Sequence, residues 1–273
     1  MKLAFTKMNG LGNDVMVVEW PKGRPPPAPE LVRRWGDRHR GVGFDQLMLI
    51  ESEPPAKGDV SYRVFNADGG EVQQCGNGVR CVASLLAPRF GSELTLVSPA
   101  GAVAAKVLSA DRASVDLGIP DFRPAALPFL VPAELDGYVL DVGGHTVEFG
   151  AVSMGNPHVV IPVEAVDTAP VGTLGPEFQR HPSFPQSVNV GFMQVESERH
   201  IRLRVYERGA GETLACGTGA AAAVAVGRRW GQLGPDVVVS LPGGDLTVSW
   251  PGPGSPLWQT GATTAVYEGY IEL

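Results

Sequence analysis

The sequence predicts an α+β fold of two similar, pseudo-symmetric lobes, each a strand-rich, barrel-like sheet around one central buried helix. Three observations predict it. The chain carries one motif twice, Gln74-Cys75-Gly76-Asn77-Gly78 and Ala215-Cys216-Gly217-Thr218-Gly219, and the two cysteines stand 141 positions apart in 273 residues. Each motif opens a helix-compatible run, apolar but for Arg80 and Ser84 from Val79 to Ala87 in one half, and small and apolar from Ala220 to Val226 in the other. Around these runs lie many short alternating stretches broken by 35 glycines and 24 prolines. That pattern describes short strands and turns, not alternating βαβ units.

The elements follow in order. Residues 2–8 and 14–20 read as strands around the turn Asn9–Asp14, with Val15, Val17 and Val18 as β-formers. Pro21 to Pro29 is a proline-rich loop, and Pro29 to Trp35 a helix. A glycine-rich loop, His39 to Gln46, feeds a strand at 47–50. The strand 60–66 delivers Ala67-Asp68-Gly69-Gly70 and the first cysteine motif, whose helix is stopped by Pro88. Residues 94–117 alternate as short strands with turns at 98–101 and 109–111. Four prolines between 118 and 132 mark a linker. The lobes are therefore 1–121 and 122–261, the first completed by a returning strand over 262–273. The second half reads as strands at 138–142 and 145–152, a turn Ser153–His158, a strand at 159–161 and a proline-containing segment 162–187. A further run at 188–195, the strand 201–206, the second cysteine motif and strands at 236–241 and 245–250 complete it. Only small apolar residues separate Gly219 from Gly227, so that helix is apolar all round and buried.

Composition bounds the function. With 44% apolar and 19% charged residues, the chain reads as a soluble globular protein. A net charge of −7 and no clustered Lys/Arg argue against a nucleic-acid partner. No apolar run reaches the ~18 residues of a membrane span, and the start Met1–Lys7 is too short and polar for a signal peptide. Three cysteines, an odd number, do not make a disulfide framework, and a reducing cytoplasm is expected.

The candidate chemistries narrow quickly. Gly217-Thr218-Gly219-Ala220-Ala221-Ala222 fits a loose dinucleotide fingerprint, but no acidic residue ends a following strand at the needed distance. There is no P-loop and no G-x-S-x-G elbow. His39, His145, His158, His181 and His200 are scattered, and Cys75 and Cys81 lack a partner pair at zinc spacing, so no metal is expected. Cys81 lies on the apolar run and reads as core. Cys75 and Cys216 each precede a helix start, where unpaired N–H groups and the dipole lower a thiol pKa. If the halves face each other, a thiolate and a thiol stand across a cleft as base and acid. Such a pair inverts a stereocentre. Redox exchange is the alternative, although redox dithiols usually sit as C-x-x-C on one element.

Seven blocks carry a resemblance. They are Met8–Asp14, Gly43–Gln46, Phe65–Gly69, Gln74–Cys81, Gly155–His158, Val188–Val190 and Glu207–Thr213 with Ala215–Gly219. In this order, spanning residues 8 to 219, they resemble the diaminopimelate epimerase family. The chain departs from the family's usual pattern at Asn9, where His is commoner, and at Val15, where an aromatic is. The resemblance implies two strand-rich lobes with the active site in the cleft between them, and commonly a homodimer. It implies a cofactor-independent epimerase interconverting LL- and meso-2,6-diaminopimelate, in lysine and peptidoglycan-precursor synthesis. By match of motif, Cys75 and Cys216 are the acid/base thiols. Asn13, Gln46, Asn66, Asn156, Asn189, Glu207 and Arg208 line the substrate. Gly76-Asn77 and Gly217-Thr218 supply backbone donors to the reacting carboxylate, and His158 and Glu207 tune the thiols. The runner-up is a proline racemase-like enzyme, which uses the same two-thiol logic. The polar set Asn66, Asn156, Asn189 and Arg208 argues against it, because proline has no second polar end. A non-catalytic binding or redox protein on the same scaffold is the remaining alternative.

Overall fold

A computed structural model describes residues 1–51, 58–73 and 75–273, so Gln74 at the head of the first motif lies outside the described residues. The chain divides into two compact units, Met1–Asp116 with Thr260–Leu273, and Leu117–Gln259.

The first unit opens with the antiparallel hairpin β1 (Lys2–Gly10) and β2 (Asn13–Trp20). These strands reach further into 9–14 than the sequence predicts. Asn9 pairs with Asp14 and Gly10 with Asn13, leaving Leu11-Gly12 as a two-residue turn. Both turn residues have positive φ, 60° and 81°, which matches the twist of the flanking strands. The helix α1 (Pro29–Gly36) buries Val32 and Trp35. Then β3 (Gln46–Glu51) runs parallel to β2, β4 (Val60–Asn66) antiparallel to β3, and β5 (Glu71–Val72) folds back on β4. The helix α2 (Gly76–Phe90) follows, and β6 (Glu93–Ser98) pairs parallel to β4. β7 (Gly101–Ser109) and β8 (Arg112–Asp116) continue as an antiparallel meander. Pro88 does not stop α2 as expected. It sits in the last turn, where the Gly91 N–H still closes on the Ala87 carbonyl, so the ring removes one internal bond without ending the helix.

The second unit begins in the proline-bearing stretch expected to be a linker. That stretch is packed structure: Asp121 pairs with Ser153, and Leu127 and Phe129 are buried in the core. β9 (Tyr138–Val142) pairs with β10 (His145–Ser153), which pairs with β11 (Pro157–Pro162). β11 takes in Pro157 and His158, which the sequence assigns to a turn. A helix, α3 (Val171–Arg180), lies inside the proline-containing segment 162–187. β12 (Asn189–Ser197) runs parallel to β11, β13 (His200–Glu207) antiparallel to β12, and β14 (Gly211–Thr213) folds back on β13. The helix α4 (Gly217–Arg229) precedes β15 (Asp236–Leu241), parallel to β13, and β16 (Gly244–Ser249). β17 (Trp258–Ala262), not foreseen from the sequence, carries the chain back to the first unit, to which β18 (Thr264–Glu272) belongs and where it pairs antiparallel with β1.

The run β10-β11-α3-β12-β13-β14-α4-β15-β16 repeats β1-β2-α1-β3-β4-β5-α2-β6-β7 in order and in the sense of every strand pairing. In each unit one helix is wrapped by strands. α2 packs on β1, β2, β3, β6, β7 and β8, and α4 on β10, β11, β12, β13 and β16. Every residue of α4 from Gly219 to Gly227 is buried, and its small side chains let the strands approach closely. A second core of Phe129, Tyr138, Phe149, Phe178 and Phe184 fills the second unit, with Phe129 and Phe184 stacked at 4.4 Å. Among the described residues no helix is long and apolar enough to cross a membrane.

Candidate active site

The repeat builds one polar cluster per unit, each at the same end of its sheet. In the first unit β2 starts at Asn13 and the parallel β3 starts at Gln46. The antiparallel β4 ends at Asn66, directly opposite Gln46. Strand polarity alone therefore gathers three amide side chains at one edge. Cys75 joins them as the N-cap of α2, its sulfur accepting the Gly78 N–H at 3.2 Å. The Cys75 thiol also bonds the Gln46 Oε1, and Gln46 Nε2 faces Asn66 Oδ1 at 3.5 Å. Asn77 is buried and accepts from Arg80 Nη2 at 2.6 Å. Asn13 Oδ1 is buried with no hydrogen-bond partner among the described residues. A buried acceptor left open is costly unless a ligand completes it.

The second unit repeats the plan. β11 is entered through Asn156, the parallel β12 starts at Asn189, and β13 ends at Glu207. Cys216 is the N-cap residue of α4, with the Gly219 N–H beside its sulfur. His158 Nε2 contacts both Asn156 Oδ1 and Thr218 Oγ1 at 3.0 Å, and Thr218 Oγ1 lies 3.7 Å from the Cys216 sulfur. Asn189 spans its neighbours: Nδ2 donates to the Pro157 carbonyl at 2.9 Å, and Oδ1 accepts the Arg208 N–H at 2.8 Å. Arg208 itself is exposed, its guanidinium donating to the Gln186 carbonyl at 3.1 Å. Thr213 bonds Glu207, and Gln259 Nε2 holds the Gly217 carbonyl at 2.7 Å. Neither Thr213 nor Gln259 was foreseen. Gln259 lies 42 residues from its contact, and no local pattern announces it.

Electrostatics differ between the clusters. Burial pushes the Cys216 thiol well above its ordinary value, and the Glu207 carboxylate, by charge and by hydrogen bond, pushes it further. The Gly219 N–H and the Thr218 hydroxyl oppose this only in part. A helix start was expected to lower this thiol's pKa. In a dry site beside a carboxylate, desolvation and like charge win. Glu207 is itself raised by burial, against the Thr213 and Cys216 hydrogen bonds. Burial, with a smaller push from Arg208, drops His158 to about 3, so its imidazole is neutral. Cys81 is fully buried and raised to about 12, chiefly by burial, as suits a core thiol. The open cavity of the second unit lined by His145, Glu148, Glu177 and Arg180 contains none of these site residues.

Each cluster thus offers a sulfur at a helix start, backbone N–H groups beside it and amides around it. This is equipment for binding a carboxylate and moving a proton. The sequence matches the family model for diaminopimelate epimerase over residues 5–122 and 150–266. The diaminopimelate epimerase of Chromobacterium violaceum is 50% identical over 276 residues, covering 100% of both chains. That of Ectopseudomonas mendocina is 48% identical over 278 residues, with the same full coverage. Among solved structures, a hydroxyproline epimerase from Agrobacterium vitis superposes with a TM-score of 0.71 at 17% identity, over 99% of this chain and 92% of that one. A phenazine biosynthesis protein from Bacillus anthracis gives 0.69 at 16% identity, over 100% of both chains. At such identities the structures share the fold.

Proposed function

The chain belongs to the diaminopimelate epimerase family, and from that premise we propose that it interconverts LL- and meso-2,6-diaminopimelate with Cys75 and Cys216 as its two acid/base groups. One observation carries the assignment of roles: the same polar edge is built twice, each time around a cysteine that caps a strand-wrapped helix. The α-hydrogen of an amino acid is very weakly acidic. One thiolate takes that hydrogen as a proton, and the electron pair stays on the carbon. The other thiol gives its proton to the opposite face, which inverts the centre and leaves the two sulfurs with their protonation exchanged. Solvent protons restore the first arrangement before the next turnover in the same direction.

The developing negative charge needs stabilisation. Backbone N–H groups at Gly76-Asn77 and Gly217-Thr218, each at a helix N-terminus, supply it to the reacting carboxylate. The reading needs no cofactor. Asn13, Gln46, Asn66, Asn156, Asn189, Glu207 and Arg208 bind the amino and carboxyl groups of the substrate, and the open Asn13 Oδ1 suits an ammonium donor. A site that pairs every polar group rejects analogues lacking one. His158 and Glu207 hold Cys216 through Thr218 and directly. Reduced thiols call for a reducing cytoplasm. We also assign a homodimer, for which the exposed Val266 and Tyr270 of β18 offer apolar contacts to a second copy. Sedimentation should give twice the chain mass, reduced to one by Tyr270→Glu.

The deciding experiment incubates the reduced protein, without added cofactor, with LL-diaminopimelate in deuterated water. The expected result is meso product carrying deuterium at the α-carbon. Exchange with L-proline instead would move the substrate to the proline racemase type. No exchange with either, from protein whose thiols titrate as free, would overturn the epimerase reading.

A further inference from the structure

Cys75 and Cys216 hold the same place in the repeat, yet the charges around them are opposite. The shift of 141 residues that lays Cys75 on Cys216 lays Asn66 on Glu207 and Arg80 on Ala221. The second thiol therefore has a carboxylate where the first has a neutral amide. The first has a guanidinium where the second has a methyl group.

Arg80 is placed by helix geometry. Helical side chains lean toward the N-terminus, so residue 80 covers the first turn of α2. There its Nη2 reaches Asn77 Oδ1 at 2.6 Å, three residues back toward Cys75. The side chain is fully buried. β1 closes over this turn: a Cβ on Gly10 would stand 3.4 Å from Asn77 and 3.5 Å from the Cys81 sulfur. A charge shut in this way is poorly screened and acts strongly on nearby groups.

We propose that Arg80 is a positioning residue that places a buried positive charge behind Cys75, so that Cys75 and not Cys216 is the thiol that rests ionised. This deepens, and rests on, the two-thiol reading. Among the described groups around Cys75 are Gln46 from β3, whose Oε1 accepts the thiol proton, Tyr62 from β4, and Arg80 and Cys81 from α2. Tyr62 and Cys81 are each raised to about 12, chiefly by burial, and are neutral near pH 7. Arg80 falls to about 10 by burial, a fall that a negative charge on a neighbouring cysteine opposes, and it keeps its own charge near pH 7. The same attraction acts in reverse on Cys75 as a thiolate. Its sulfur also accepts the Gly78 N–H, as the Gly219 N–H faces the Cys216 sulfur, so the backbone does not set the two thiols apart and the side-chain charges do. Around Cys216 stand Glu207, Thr218 and the neutral His158, and Glu207 accepts the thiol proton in a hydrogen bond.

The test is site-resolved alkylation of the full chain by iodoacetamide, read by mass spectrometry from pH 5 to 10. Only the thiolate reacts, so each cysteine gives its own pH profile. Accessibility scales a profile without moving its midpoint. In the wild type the Cys75 midpoint is expected to lie at least about one pH unit below that of Cys216. Arg80→Gln is expected to raise the Cys75 midpoint by about one unit and to leave the Cys216 profile unchanged. Arg80→Lys should restore most of the shift, which a purely structural role would not. An unmoved Cys75 midpoint in folded Arg80→Gln, or a wild type in which Cys216 titrates first, would overturn the proposal. Should Arg80→Gln fail to fold, Arg80→Lys with a wild-type midpoint supports it, and a midpoint raised by the full unit refutes it. No substrate enters this assay, so failure here is distinct from failure of the epimerase reading.

Discussion

Burial governs what the polar residues of the second cluster can do. His158 is 1% exposed and held neutral, with its pKa lowered from 6.5 to about 3. In the unfolded chain it binds a proton below about 6.5 and in the native chain only near 3. Its contribution to stability is therefore complete above pH 6.5 and is lost as pH falls toward 3, a change on the order of a few kcal/mol. Urea unfolding of wild type and His158→Gln between pH 7 and 4 checks this. The wild type should lose more stability over that range, and parallel curves would refute the assignment. Cys75→Ala and Cys216→Ala should each lower epimerisation by at least about 10²–10⁴-fold, the scale of acid/base catalysis. Cys81→Ala, a change in core packing, should cost about 1 kcal/mol in the same unfolding assay. These roles were legible from the sequence because each reactive cysteine sits in a copied motif and Cys81 does not. The direction of the Cys216 shift was not legible. It depends on Glu207, which β13 brings in from nine residues upstream, and on burial that only the fold creates.

At the scale of elements, strands with clean alternation were readable and α3 was not. Its sequence, with Gly172, Gly175 and Pro176, carries the residues that ordinarily break a helix. Tertiary packing overrides that preference, because Val171 and Phe178 insert into the aromatic core. Gly175 is needed there for a definite reason. A Cβ at that position would stand 2.5 Å from Cγ and 2.8 Å from Cβ of Tyr206, on the strand that carries Glu207. The neighbour is the root of a ring and not the free end of a flexible chain, so it cannot give way cheaply. Gly175→Ala is expected to destabilise the protein by about 1–3 kcal/mol, the usual cost of overpacking. It should also lower epimerisation by displacing Glu207. Unfolding midpoints and turnover measured on the same preparation test both, and a variant with unchanged stability would show that α3 shifts freely. The hairpin turn at Leu11-Gly12 shows the opposite case. Asn, Gly and a β-rich flank announced it, and the structure only tightened it to two residues.

For the whole molecule, the duplication was the most informative signal, since it set the order of elements and the place of both cysteines. What it could not convey is the length and register of the pairing by which the strand expected over 262–273 returns to the chain's beginning. β18 pairs with β1 from Lys2 opposite Glu272 to Asn9 opposite Thr264. Tyr267 meets the Phe5 ring edge-on at 5.9 Å, and Gly269 allows that ring to lie against the strand, where a Cβ would come within 2.8 Å. Leu3 and Phe5, which β18 helps cover, belong to the apolar core beneath α1 that includes Trp35, Phe44 and Leu47. Removing residues 264–273 would leave the β1 backbone groups without partners along one edge and open this core to water. An exposed edge of that length also invites pairing with other chains. The truncated chain is therefore expected to be insoluble or unfolded, and not merely less active. Because β1 leads into the strand that presents Asn13, the Cys75 cluster should be lost with it. Circular dichroism and size-exclusion chromatography of the truncated protein decide the matter. A soluble species with the wild-type thermal transition would mean that β1 and β2 hold their sheet without the returning strand.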